Sequence, residues 1–137
     1  MKNITFSCFI LLLLGSCTPH AVPIKEKFLV NKSFVYLYYS SMKECMDAQP
    51  DPDFFLNCHQ QVDFYPGNKV EIMLSDIYYR GKYQIFGNLV ILTFEPGPEI
   101  PEGEIIFEML NPAKLLNLEN GTVWKKVSGN SIWNDPE

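Results

Sequence analysis

The sequence has only two histidines, few basic residues and no apolar run long enough to cross a bilayer. Each shortage removes a class of function. Lysine and arginine number 11 against 16 aspartates and glutamates, a net charge of −5. That balance argues against a nucleic-acid partner, because phosphate binding needs a basic face. It also gives no electrostatic hold on an anionic membrane surface. His20 lies close to the N-terminus, His59 is the only histidine in the region expected to fold, and no Gly-x-Ser-x-Gly elbow occurs. A serine triad, which needs a nucleophile, a base and an orienting group together, is therefore poorly supported. The acidic pairs Asp51 with Asp53 and Glu102 with Glu104 sit in proline-rich loops. Solvated charge is their ordinary reading, not a pair of glycosidase acids. The expectation is a non-catalytic protein that uses no cofactor.

What the chain does have begins at its N-terminus. Lys2 is followed by Ile4, Phe6, Cys8, Phe9, Ile10 and then Leu11 to Leu14, with no further charge and with small residues at Gly15 and Ser16. A membrane-crossing helix needs about 20 apolar residues. A charged start, a short apolar core and small residues at a cleavage site describe a secretory signal over residues 1–16. Leu14-Gly15-Ser16-Cys17 resembles the lipobox of bacterial lipoproteins. That resemblance implies diacylglycerol on the Cys17 thiol, cleavage before it, and a membrane partnership through lipid alone. An ordinary signal peptide with an incidental cysteine is the alternative. Thr18 stands where lipoproteins retained at the inner membrane often carry Asp, so the resemblance implies the outer membrane, facing the periplasm.

Cleavage would leave about 121 residues, one domain's worth, with a net charge near −6. Cys8 would depart with the signal and Cys17 would carry lipid, so Cys45 and Cys58 remain as an even pair. In an oxidising compartment such a pair reads as a disulfide. Cys45, Cys58 and His59 could instead be soft ligands for copper or zinc. Only Met42 or Met46 is spaced to complete that set, and no metal site is expected.

Residues 17–32, with Pro19, Pro23 and alternating charge at Lys25 to Lys27, read as a lipidated tether. The barrel domain is expected over 33–127 and a C-terminal tail over 128–137, frayed apart from Ile132 and Trp133. Ser33 to Ser40 is aromatic and β-branched and reads as a strand. Ser41 to Gln60 breaks the pattern and reads as a loop, with a helical turn at Met42 to Met46 and no long helix past Pro50 and Pro52. Beyond it, Val62 and Phe64 alternate with Gln61, Asp63 and Tyr65, and Pro66-Gly67-Asn68 supplies a tight turn. Val70, Ile72 and Leu74 then alternate with Lys69, Glu71 and Met73, the period of a half-buried strand. Gly87-Asn88 joins Gly81–Phe86 to Leu89–Phe94 as a second hairpin, and Asn120-Gly121 is the strongest type I′ dipeptide, between Lys114–Glu119 and Thr122–Val127. Ile105, Phe107 and Met109 alternate on a further strand. The fold class expected is all-β, an antiparallel meander of about eight strands closed into a barrel after the signal helix. A two-sheet sandwich is the rival, and sequence alone does not separate them.

Asp63-Phe64-Tyr65-Pro66-Gly67, Gly81-Lys82-Tyr83, Asn88 to Phe94, Leu115-Leu116 and Gly121-Thr122-Val123-Trp124 together resemble the small lipocalin-like domains of bacterial envelope lipoproteins. Those include the N-terminal barrel of the copper-homeostasis and envelope-stress lipoprotein and the META-type domains. The resemblance runs from Val62 to Lys126 and implies architecture and compartment. That copper-associated family carries Cys-x-x-Cys near its first hairpin, whereas Cys45 and Cys58 are thirteen positions apart, so metal sensing does not carry over.

Two binding readings follow. Tyr36, Tyr38, Tyr83 and Trp124 have apolar bodies and polar tips suited to lining a cavity for a small apolar ligand or envelope signal. They suit simple packing equally. Phe54-Phe55-Leu56, an apolar triplet in the long loop, could meet an envelope protein, as in an inhibitor or an assembly factor, or pack under the disulfide. A filled interior with that triplet exposed favours the second reading.

Overall fold

Alternating side chains can bury one face of a strand only if a sheet curls over it, and here the sheet closes on itself. A computed structural model describes residues 26–51, 53, 55–129 and 131–133. The signal expected over 1–16, Cys17 and Phe54 lie outside the described residues. Eight strands, β1 (Lys32–Leu37), β2 (His59–Tyr65), β3 (Lys69–Met73), β4 (Tyr78–Phe86), β5 (Leu89–Phe94), β6 (Glu104–Asn111), β7 (Lys114–Asn117) and β8 (Val123–Lys126), pair antiparallel in chain order. The β1–β8 seam closes the barrel through Phe34 opposite Lys126 and Val35 opposite Lys125. The fold is all-β, a closed eight-stranded meander, and the sandwich is excluded.

Phe34, Val62, Phe64, Val70, Ile72, Tyr83, Val90, Leu92, Phe107, Leu115 and Trp124 fill the interior, all buried. Their neighbours along the strands, among them Asp63, Glu71, Lys82, Glu108 and Lys125, face outward. A membrane-spanning barrel shows the inverse pattern, apolar outside and polar within. No helix among the described residues is long and apolar enough to cross a membrane.

The two ends of the barrel differ. At one, connections are tight: Pro66–Asn68, Gly87-Asn88 and Pro112-Ala113. Gly67 and Asn68 both take positive φ in the first, and in the second only Gly87 does, as a type II′ turn requires. At the other end the connections are residues 38–58, 74–77, 95–103 and 118–122. Gly81 lets β4 and β5 approach, since a Cβ there would collide with the Thr93 carbonyl and the Phe94 ring.

Several boundaries differ from the sequence expectation. The tether does not extend to residue 32, because Glu26–Phe28 forms a 3-10 turn and Leu29, fully buried, enters the barrel core from the tight-turn end. Asn31 N–H donates to Phe64 O at 2.8 Å, fixing that approach. β1 stops at Leu37 as the chain leaves for the long connection. β7 ends at Asn117, whose Oδ1 accepts the Glu119 N–H at 2.9 Å. Asn120-Gly121 is not a type I′ turn, which needs positive φ at both residues. Only Gly121 has it, and Gly121 N–H donates to Asn117 O within a five-residue connection. The tail is docked at Trp133, buried against Cys45 and Cys58 outside the barrel wall.

Candidate functional site

The long connection between β1 and β2 is a structured lobe. Ser41 caps the one α-helix of the described residues, α1 (Met42–Asp47), by accepting the Glu44 N–H at 3.1 Å. The Glu44 carboxylate in turn accepts from the Ser40 hydroxyl at 2.5 Å and from Ser40 N–H at 2.9 Å, and these two hydrogen bonds, the hydroxyl's first, hold its carboxyl below the ordinary carboxylate range. Cys45 and Cys58 are at disulfide distance, their Cα atoms 5.8 Å apart. The Gln49 side chain ties the lobe inward, donating to Cys45 O at 2.9 Å and accepting from Leu56 N–H at 2.7 Å. Asn57 Nδ2 donates to Ser75 O, joining the lobe to the β3–β4 connection.

This scaffold leaves its apolar residues outside. Phe55 is 58 % exposed and Leu56 48 %, so they do not pack under the disulfide; Trp133 fills that role. Met42 and Met46 on α1, Ile77 and Tyr78 beside the β3–β4 connection, and Leu118 are likewise exposed at the open end. Scattered apolar side chains need no explanation, but seven exposed toward one end of the barrel mark that end for contact.

The tyrosines divide. Tyr83 and Trp124 line no opening: Trp124 is fully buried with its ring 5.2 Å from Phe107, and Tyr83 lies 5.2 Å from Phe64. Their contacts are the edge-on ring contacts of a packed core. Burial, and to a lesser degree the Glu26 carboxylate, pushes the Tyr83 phenol up. Tyr36 and Tyr38 alone of the expected set reach the open end, with their rings edge to face at 5.6 Å. They also border a groove of about 510 Å³ over the upper β1–β8 seam.

The open end holds a depression of about 610 Å³ whose lining includes Tyr38, Gln60, Leu74, Glu99, Ile105, Asn117 and Glu119. Tyr38 donates to Leu74 O at 3.3 Å. Burial, only partly opposed by a hydrogen bond with Gln60, raises the phenol above its ordinary value, with the charges of Tyr36 and Glu99 adding to this. Tyr38 is therefore a neutral hydroxyl at physiological pH. Asn117 is 3 % exposed, the one buried polar or charged residue among the described residues. Glu99 N–H donates to Tyr79 Oη at 3.3 Å, and Glu99 Oε2 is buried without a hydrogen-bond partner. Glu99, Ile105 and Glu119 also line an adjoining depression of about 430 Å³ bordered by Glu102 and Glu104.

None of Glu99, Glu119, Gln60 and Asn117 was marked as a site residue by the sequence. They come from four separate connections and strand ends, and Glu99 sits in the proline-rich loop read as solvated charge.

Among the described residues no group of three or more His, Cys, Asp or Glu side chains could hold a metal ion. His59 opens β2, and burial, partly offset by a hydrogen bond with Gln61, holds its imidazole below the ordinary value and neutral at physiological pH. The arrangement at the open end is suited to recognition by shape, apolar contact and carboxylate charge. Comparison with protein-family models, with curated proteins and with solved structures finds no match to this chain.

Proposed function

We propose that this chain is a lipoprotein of the bacterial envelope, anchored through Cys17 in the outer membrane and facing the periplasm, and that the open end of its barrel docks another envelope protein. The observation that carries the docking reading is the pairing of a packed interior with Phe55 and Leu56 held outward on a braced lobe. A small apolar ligand inside the barrel has less support, because Tyr83 and Trp124 occupy that space and the open end is lined largely by polar groups. Orientation adds to the case. The chain enters β1 from the tight-turn end, so a tether from Cys17 joins that end and the lobe points away from the membrane.

The anchor and the docking surface are tested separately. The mass of the protein from its native membrane is expected to be that of a chain beginning at Cys17 and carrying acyl groups, and Cys17→Ser is expected to remain unprocessed. An unmodified Cys17 in the mature chain would remove the anchor. For docking, a photo-crosslinking benzoylphenylalanine is placed in cells at Phe55, or at Phe86, the most exposed aromatic of the tight-turn end. A discrete protein adduct is expected from position 55 and none from 86. Leu56→Ser should reduce the adduct about tenfold, equivalent to about 1.4 kcal/mol at one apolar contact. Adducts from 86 alone would overturn the docking reading.

A further inference from the structure

We propose that the tight-turn end of the barrel seats on the phospholipid surface that holds the Cys17 anchor, with Phe86 and Leu110 entering the headgroup layer and nearby lysines meeting lipid phosphates. The inference rests on the lipid anchor proposed above and adds a second contact with the same membrane, one that fixes how the barrel stands on it. Its first ground is the path of the chain. Glu26 opens the segment that enters the barrel at the tight-turn end, and it stands nine positions after Cys17. Nine residues reach about 30 Å when fully extended, so lipid on Cys17 keeps that end close to the bilayer.

The second ground is what the turns present. Phe86 is 77 % exposed, the most of any large apolar side chain among the described residues, and Leu110 is 48 % exposed. They stand beside the β4–β5 and β6–β7 turns, which adjoin because β5 pairs with β6. A ring held out by a two-residue turn gains nothing in water. The boundary between headgroups and acyl chains favours aromatic and aliphatic side chains.

The third ground is charge. The net charge of −5 hides a division between the two ends. Lys27 and Lys32 lie at the entry to β1, Lys69 follows the β2–β3 turn and Lys114 the β6–β7 turn, all exposed, and Glu26 is the one carboxylate in residues 26–32, 65–69, 86–89 and 110–114. At the open end the balance reverses. Lys43 is the one lysine or arginine in residues 38–58, 74–77, 95–103 and 118–122, among carboxylates that include Asp47, Asp51, Asp76, Glu99 and Glu119. Two of the lysines also face like charge across the sheet, Lys69 opposite Lys82 and Lys114 opposite Lys125. Like charges directly opposite destabilise a strand pair, and the ion pairs of the described residues, Lys43 with Asp47 and Arg80 with Glu71, relieve neither. Lipid phosphates supply the counter-charge, whereas an acidic open end turned toward them is repelled, so one orientation is favoured.

The test uses the protein extracted from its native membrane and returned to vesicles of phosphatidylethanolamine and phosphatidylglycerol. Their acyl chains are brominated near the headgroup, which quenches tryptophan on contact. Phe86→Trp and Phe55→Trp place a reporter at opposite ends, and the unsubstituted protein is the blank for Trp124 and Trp133. The emission added by Phe86→Trp is expected to fall by at least about half against unbrominated vesicles, and that added by Phe55→Trp to stay unchanged. Lys69→Gln with Lys114→Gln, made in the Phe86→Trp protein, is expected to remove about half of that quenching, as is phosphatidylcholine in place of phosphatidylglycerol. Equal quenching at both positions, or quenching at 86 indifferent to the lysines and to the anionic lipid, would overturn the proposal. So would a protein adduct from benzoylphenylalanine at position 86 in cells. Protein that floats with the vesicles yet shows no quenching at 86 would leave the anchor standing and remove only the seating. Protein that fails to float would remove the anchor, and the seating with it.

Discussion

Trp124→Ala is expected to cost the barrel about 3–5 kcal/mol, the range for deleting a fully buried aromatic with incomplete collapse of its site. Trp124 has no exposed surface, stacks edge-on with Phe107 and places its Nε1 3.0 Å from Thr122 Oγ1 as donor. Truncation removes the ring from the centre of the core and leaves the Thr122 hydroxyl without that donor. A domain of this size has roughly 5–15 kcal/mol in all, so a large share of its stability disappears. The melting temperature should fall by on the order of 20 °C, and chemical denaturation followed by tyrosine fluorescence or circular dichroism measures the loss directly. Trp124→Phe, which keeps most of the packing, should cost less than half as much. The experiment also separates packing from ligand binding. A loss below about 1 kcal/mol, far short of the cost of opening a packed core, together with release of a bound molecule seen by native mass spectrometry, would return Trp124 to the lining of a cavity.

Removing the link between Cys45 and Cys58 is the second large effect, and it should be local. On the chain-entropy model, closing a loop across a separation of 13 residues is worth about 3 kcal/mol. Cys45→Ala with Cys58→Ala avoids burying hydroxyls in the small cluster with Trp133, Leu37 and Tyr39. The lobe hangs from the ends of β1 and β2 and is otherwise held by Gln49 and Asn57, so it can open without unpairing β4, β5 and β6. Hydrogen exchange should accelerate by about a hundredfold over residues 42–58, the equivalent of that free energy, while amides of β5 keep their protection. The crosslink from position 55 should weaken in parallel, because the lobe would no longer hold Phe55 and Leu56 in one orientation. Uniform loss of protection across the barrel would show that the lobe is not a separate unit and would undercut the idea of a braced docking surface.

The meander could be read along the chain because each hairpin is a local event. Val62 and Phe64, then Val70 and Ile72, alternate across Pro66-Gly67-Asn68, and pairing them needs no knowledge of distant residues. Gly87-Asn88 announces its turn in the same way. Met73 marks the limit of that reading. Its period puts it on the outer face, yet it is buried, because the lobe folds down beside it and Asn57 Nδ2 lies 3.9 Å from its sulfur. Leu29 and Trp133 are similar cases, remote in sequence from the groups that cover them. Asn120-Gly121 failed as a type I′ turn because Asn117 and Asn120 used their side chains to accept nearby N–H groups, which favoured a longer connection.

The tyrosines show the same division at the candidate site. Tyr36, Tyr38 and Tyr83 all have inward parity, so their common face was legible. Depth along the barrel axis was not, and depth decides whether a ring is packed in the core or available at the opening. The apolar stretch Phe54-Phe55-Leu56 was legible as an anomaly in a polar loop, but burial under the disulfide suited it equally; Trp133 takes that place, and Phe55 and Leu56 are exposed.

Strand period, hairpin positions, the even cysteine pair and the lipobox-like leader are properties of short stretches, governed by backbone sterics, side-chain alternation and chemistry at single residues. Closure of the barrel, the difference between its two ends and the meeting of Glu99, Asn117 and Tyr38 depend on which strand ends adjoin. That adjacency is set when β1 pairs with β8 and the core fills around Trp124. Free energy of burial, distributed over the whole barrel, brings those residues together, and no segment read alone contains it.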